Sequence, residues 1–229
     1  RDQNSMFHAS ILANYVPPRN AHCVDGGTVK GKAHMHTRKL YLGCHLSSAK
    51  GYEAIGKVAL SIGANTFQFF TRNPRGGNAK PIDPKDAAAL NHICAENAFG
   101  TLVAHAPYTF NPGSSDARVR DFAYRCLAED LARMENFPNQ VYNIHPGSHV
   151  GRGIEEGIAQ TAELLNDVMS GEQSTTLLLE TMSGHGSEIG GTFDQIAELI
   201  SRIRCTEKVG VCLDTCHVFS AGYDVRNDL

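Results

Sequence analysis

The sequence predicts an α/β fold, a (β/α)8 TIM barrel with about six of its eight βα units present in this chain. Three observations predict it. Short apolar runs alternate with amphipathic helical patterns, which implies right-handed βαβ units and a parallel sheet. The run starts lie roughly 25 to 40 residues apart, the length of one such unit. The 229 residues are also within range of a single barrel of this class, typically about 250. A doubly wound open sheet is the alternative arrangement of the same elements.

The apolar runs read as strands are KLYLGCH (39–45), ANTFQFF (64–70), TLVAH (101–105), QVYNIH (140–145), TTLLLE (175–180) and VGVCLD (209–214). Helical patterns follow them. GYEAIGKVALSIG (51–63) is the first, and DPKDAAALNHICAENA (83–98) starts on Asp83 as N-cap. DARVRDFAYRCLAEDLARMEN (116–136) and IEEGIAQTAELLNDVMS (154–170) come next. TFDQIAELISRIR (192–204) opens with Thr192 and Gln195 spaced as a capping box. The pattern still runs at Leu229, so the domain, residues 40–229, is expected to be a C-terminally incomplete barrel. Its edges near Leu40–Gly43 and Val209–Leu213 are expected to stay unpaired and to invite association. Residues 1–39 differ: four His, two adjacent Pro and three Gly with little periodicity mark an N-terminal extension, expected to be disordered. Its AHMHTR segment is a weak metal-binding alternative.

Composition excludes several classes. Apolar residues at 41% and charged residues at 20% are those of a chain that buries a core. A net charge of -3 gives no global attraction to nucleic acid, so any DNA-binding face is locally basic or carries metal ions. No apolar run approaches the roughly 18 residues that span a membrane. Seven Cys with no secretory signal read as reduced thiols, and a cytoplasmic location is expected.

Four consecutive runs end in a residue able to bind a metal: His105, His145, Glu180 and Asp214. In a barrel the carboxyl ends of all strands open onto one face, so residues about 35 apart in sequence converge there. His217 lies one helical turn beyond Asp214 and reaches the same face. Singly, each has a plain structural use: His145 precedes Pro146, Glu180 can hold a backbone amide, and Asp214 can cap the next turn. Together they form a divalent-cation set, since a carboxylate at the end of an apolar strand needs a partner. His with Glu and Asp suits Zn2+, with Mn2+ or Fe2+ as alternatives. A thiol site at Cys212 and Cys216 is the competing reading, though no second Cys pair completes it.

HAPYTFN (105–111), NIHPGSH (143–149), LLETMSGHGSEIGGTF (178–193) and VGVCLDTCHVFSAGYD (209–224) resemble the endonuclease IV family, the zinc-dependent apurinic/apyrimidinic endonucleases of DNA repair. LGCHLSSAKG (42–51) and FFTRNPR (69–75) resemble its first two strand-loop segments. The resemblance implies a barrel holding three zinc ions. His105, His145 and Glu180 would hold the first. Glu180 would bridge to the second with Asp214, and His217 would be one ligand of the third. The family's other ligands fall beyond residue 229. The resemblance further implies attack by a zinc-activated hydroxide on the phosphorus 5′ to an abasic site in double-stranded DNA. The products would be a 3′-hydroxyl and a 5′-deoxyribose phosphate, with Glu180 as the catalytic carboxylate and the full-length enzyme a monomer. Arg75 and Tyr108 match positions that press into the duplex at the lesion. Arg72 adds a second loop charge for phosphates, and His45 matches a position near the DNA. The family often has Gln-Trp after Arg75, where this chain has Gly76-Gly77 and no Trp.

Two other functions use the same residues. A metal-dependent sugar isomerase or epimerase of the xylose-isomerase-like barrel class shares the architecture and the strand-end carboxylates. A non-enzymatic chain would bind a single zinc or damaged DNA without cutting, as the missing ligands suggest.

Overall fold

A computed structural model describes residues 39–227. The expectation for the N-terminal extension, residues 1–38, lies outside the described residues. Five strands, β1 (Gln68–Phe70), β2 (Leu102–His105), β3 (Gln140–Ile144), β4 (Thr176–Glu180) and β5 (Val209–Cys212), form one parallel sheet in sequence order. The α-helices are α1 (Tyr52–Ser61), α2 (Pro84–Glu96), α3 (Ala117–Met134), α4 (Ile154–Val168), α5 (Phe193–Ser201) and α6 (Thr215–Ser220), with 3-10 turns at Ser48–Lys50 and Thr206–Lys208. A doubly wound sheet reverses its strand order at a switch point. Here each strand pairs with the next and the order never reverses, as in a TIM barrel. No helix among the described residues is long and apolar enough to cross a membrane.

Asp83 and Thr192 cap their helices as expected, and Asp116 caps a third. Asp83 accepts from Lys85 N at 2.9 Å, Asp116 from Arg118 N at 2.8 Å, and Thr192 Oγ1 from Gln195 N at 3.2 Å. The capping box at Thr192 is one-sided, because Gln195 Oε1 instead accepts from Gly190 N and Gly191 N and holds the preceding loop.

Side-chain alternation then divides each strand between two layers. Leu102, Ala104, Tyr142, Ile144, Leu177 and Leu179 belong to the large core packed with the helices. Val103, Val141, Leu178 and Cys212 form a separate apolar cluster. Two residues further along the same strands come His105, Asn143, Glu180 and Asp214, all buried. The polar layer therefore sits directly above an apolar floor.

The first expected strand is reduced to one bridge, His45 to Gln68. The chain still runs beside β1, with Leu46 N on Gln68 O at 2.8 Å and Gln68 N on Cys44 O at 3.1 Å. Nearer its start a side chain replaces the ladder: Asn65 Oδ1 accepts from Leu42 N at 2.6 Å and its Nδ2 donates to Leu40 O at 3.0 Å. That amide takes Leu42 N and Leu40 O, while Leu42 O still accepts from the Asn65 backbone N at 3.0 Å.

Candidate metal centre

His105 and Glu180 are the last residues of β2 and β4, and His145 follows β3 by one residue. Asp214 comes two residues after β5 and is the N-cap of α6: its Oδ1 accepts from His217 N at 2.8 Å. The capping use and the ligand use of Asp214 are thus compatible, because Oδ2 is left to face the site. One turn of helix carries His217 back over Glu180. His105, His145 and Glu180 form one group with ligand atoms within 4.8 Å of one another, and Glu180, Asp214 and His217 form another. Glu180 belongs to both, so the structure brings all five expected ligands together.

Glu180 is the hub. Its Oε2 lies 3.2 Å from His105 Nε2 and 3.5 Å from His145 Nε2, and its Oε1 lies 3.3 Å from His217 Nδ1. Only 3% of this side chain is exposed, so the carboxylate has exchanged water for imidazoles. Burial alone would raise its pKa, but hydrogen bonds from His105 and His217 carry it far below the usual carboxylate range. Burial pushes the His145 imidazole below its ordinary value, which favours the neutral ring with its lone pair available. The hydrogen bond to Glu180 raises His217 to about 9 against the opposing effect of burial. A buried carboxylate, one neutral imidazole and further nitrogen and oxygen donors in two overlapping groups suit a divalent cation of the zinc type. Among the described residues no such group contains a cysteine; Cys212 is buried in the apolar floor, where burial pushes its thiol up, and Cys216 is exposed.

Tyr108 stands over this centre, 54% exposed, with its ring 5.1 Å from Phe70 and 6.2 Å from His105. Arg75 is exposed on the neighbouring loop. Its backbone is joined to Tyr108 through the next residue back, since Tyr108 N donates to Pro74 O at 2.9 Å. His45 packs its ring 4.4 Å from Phe70 and lines a cavity with Asn73 and Pro74. Arg72 corrects the sequence expectation. Only 2% of its side chain is exposed and its Nη2 is 2.7 Å from Asp130 Oδ1, so the guanidinium is committed inside the protein and offers no face to a phosphate.

Residues 57–229 match the family described as xylose isomerase-like TIM barrel. A probable endonuclease 4 of Akkermansia muciniphila is 62% identical over 189 residues, covering 82% of this chain and 68% of that protein. The chain belongs to the endonuclease IV family. The probable endonuclease 4 of Alkaliphilus oremlandii is 57% identical over 83% of this chain and 68% of its own length. The crystal structure of endonuclease IV from Thermus thermophilus aligns with a TM-score of 0.69 at 27% identity, covering 82% of this chain and 67% of that one. A D-psicose 3-epimerase from Clostridium cellulolyticum aligns with a TM-score of 0.62 at 13% identity, a likeness of fold alone.

Two residues of this endonuclease IV chain carry no sequence signal strong enough to single them out. Asn143 donates from Nδ2 to Glu180 Oε2, while its own Oδ1 is buried without a partner. It stands two residues before His145 and so on the same side of the strand, a signal the alternation contains. Thr181 accepts from Asp214 N at 3.0 Å through Oγ1, and its carbonyl lies 2.9 Å from His217 Nδ1. Following Glu180 directly, it ties β4 to the start of α6.

Proposed function

We propose that this chain is the zinc-dependent endonuclease that its sequence resembles, hydrolysing the phosphodiester bond 5′ to an abasic site in double-stranded DNA and leaving a 3′-hydroxyl and a 5′-deoxyribose phosphate. The observation that carries this reading is the pair of ligand groups sharing Glu180, set at the ends of successive strands in a chain whose relatives are named endonuclease 4. His105, His145 and Glu180 would hold one zinc, Glu180 and Asp214 a second, and His217 would contribute to a third. Bound zinc would supply a water acidified to near-neutral pKa and positive charge for the phosphate oxygens.

The protein's own part follows from the geometry. Glu180 presents one carboxylate oxygen to each ligand group, and Asn143 holds one of those oxygens in place. The apolar floor of Val103, Val141, Leu178 and Cys212 keeps water from reaching the centre from below. Tyr108 and Arg75 would enter the duplex at the lesion, where a missing base leaves room for a side chain. His45 would lie beside the DNA. The full-length enzyme would act as a monomer in the cytoplasm.

The test is incision of an end-labelled duplex holding one tetrahydrofuran abasic analogue, with zinc supplied. Glu180→Gln should lower incision by about two orders of magnitude or more while duplex affinity changes little. Equal incision by both proteins would sink the reading.

A further inference from the structure

The metal centre leaves unused a second polar cluster, behind the loop that follows β1. Asp130 of α3 is completely buried. It accepts from Thr71 Oγ1 at 2.6 Å, from Tyr142 Oη at 2.8 Å, and from Arg72 through Nη2 at 2.7 Å and Nε at 3.2 Å. Arg133 Nε lies 3.7 Å from the same carboxylate, and Glu129, half exposed, lies 3.2 Å from Arg72 Nη2. The Arg72 guanidinium also reaches forward, where Nη1 donates to Gly77 O at 2.7 Å. Between residue 72 and that carbonyl the chain makes a tight turn, with Gly76 N on Asn73 O and Arg75 N on Asn73 Oδ1, both at 3.0 Å. Arg75 is exposed within this turn, and Pro74 O receives the amide of Tyr108. One buried cation thereby joins α3 to both ends of the turn, and the turn itself holds the backbone of Tyr108 at Pro74.

A buried ion pair is weak evidence for stability, since apolar side chains of similar volume fill the same space at no loss. What they do not supply is a directional link from Asp130 to the Gly77 carbonyl. The planar fork of arginine makes both grips at once; a lysine ammonium would make one.

We propose that Arg72 and Asp130 form a positioning pair, which sets residues 73–77 and Tyr108 over the metal centre so that Arg75 and Tyr108 meet the duplex together. The duplex part of this inference rests on the proposed function; the ordering of the loop does not. Neither residue touches DNA. Their action passes through backbone hydrogen bonds to the two residues that would.

The test compares the parent chain with Arg72→Met/Asp130→Asn, which removes both charges and leaves neither unpaired, and with Arg72→Lys, which keeps the charge and loses one grip. Hydrogen exchange is followed by mass spectrometry on peptides covering 73–78 and 106–110, with peptides from β2 to β4 as reference. Affinity for a duplex with one tetrahydrofuran site is measured beside that for the intact duplex. Exchange in the two loop peptides should rise about tenfold with the reference peptides unchanged, as for a local opening. Affinity for the abasic duplex should fall about tenfold with zinc content kept. Should the double variant fail to fold, Arg72→Lys gives the same readout. Parent-like exchange in the loop peptides, or exchange raised equally everywhere, overturns the proposal and leaves the pair a packing feature. Faster loop exchange with parent-like affinity overturns the link to DNA. A parent chain without preference for the abasic duplex refutes the proposed function instead, and the exchange result still decides whether the pair orders the loop.

Discussion

Glu180 and His217 face each other between the end of β4 and the first turn of α6, with the carboxylate Oε1 3.3 Å from the imidazole Nδ1. The same nitrogen lies 2.9 Å from the carbonyl of Thr181. Two acceptors at one ring nitrogen favour a proton on it. In the metal-free protein His217 is raised to about 9, first by its hydrogen bond to Glu180, from an ordinary 6.5. A folded-state pKa above the unfolded one means stabilisation that is complete below 6.5 and lost as pH rises through about 9. Thermal melts of EDTA-treated protein should fall across that window, and His217→Gln should flatten the fall. A cation taken up by His217 must displace one of the two imidazolium protons, so zinc loading near neutral pH should release a proton, read as a buffer-dependent calorimetric heat.

Asp214 allows its two uses to be separated. Asn caps a helix about as well as Asp, whereas Ala costs about 0.5–2 kcal/mol. Asp214→Asn should keep the melting temperature of the metal-free protein and reduce zinc bound per chain. Asp214→Ala should lower both. A variant Asp214→Asn with undiminished zinc would show that the carboxylate charge is not needed for the metal.

His105 and His145 belong to the other group. Replacing both with Ala leaves that group one of its three candidate ligands and should remove its zinc, read by elemental mass spectrometry. Unchanged zinc content in the double variant would contradict the assignment.

The thiols offer a check on burial. Burial pushes Cys94 up to about 11 and Cys126 up to about 12, so neither is a thiolate at neutral pH. Cys44 and Cys216 are exposed. Alkylation of the native protein should mark Cys44 and Cys216 and spare Cys94 and Cys126 until denaturant is added. Leu179, fully buried against the helices, supplies the packing counterpart: Leu179→Ala should cost about 2–5 kcal/mol in denaturant unfolding.

Four of the five candidate ligands are legible in the sequence because they recur at one place in a repeating unit, and His217 by its spacing from Asp214. The fold then needs only strand alternation to bring them together. Arg72 misleads for the opposite reason. It stands in a loop beside Arg75, and its partner Asp130 lies 58 positions away on α3, where nothing local distinguishes it from a surface acid. The first strand is shorter than its apolar run suggests, with the Asn65 amide, from outside that run, taking the Leu42 N and Leu40 O that strand pairing would have used. Asn143 is readable from its phase with Val141 and His145, but an amide inside an apolar run does not by itself announce a carboxylate partner.

The strict neighbour-to-neighbour order of the strands makes the cation a gauge of alignment. Asn143 is aligned with Leu178 across β3 and β4, and Glu180 with Cys212 across β4 and β5. Sliding any one strand by a single residue would turn its donor away and present an aliphatic side chain instead, Leu179 in place of Glu180. In β4 such a slip exchanges leucines between the two apolar layers and carries Glu180 to the helix-facing one. To an ion that needs nitrogen and oxygen from several strands at once, it removes a whole donor. A cation bound at these donors would therefore favour the aligned sheet over slipped pairings.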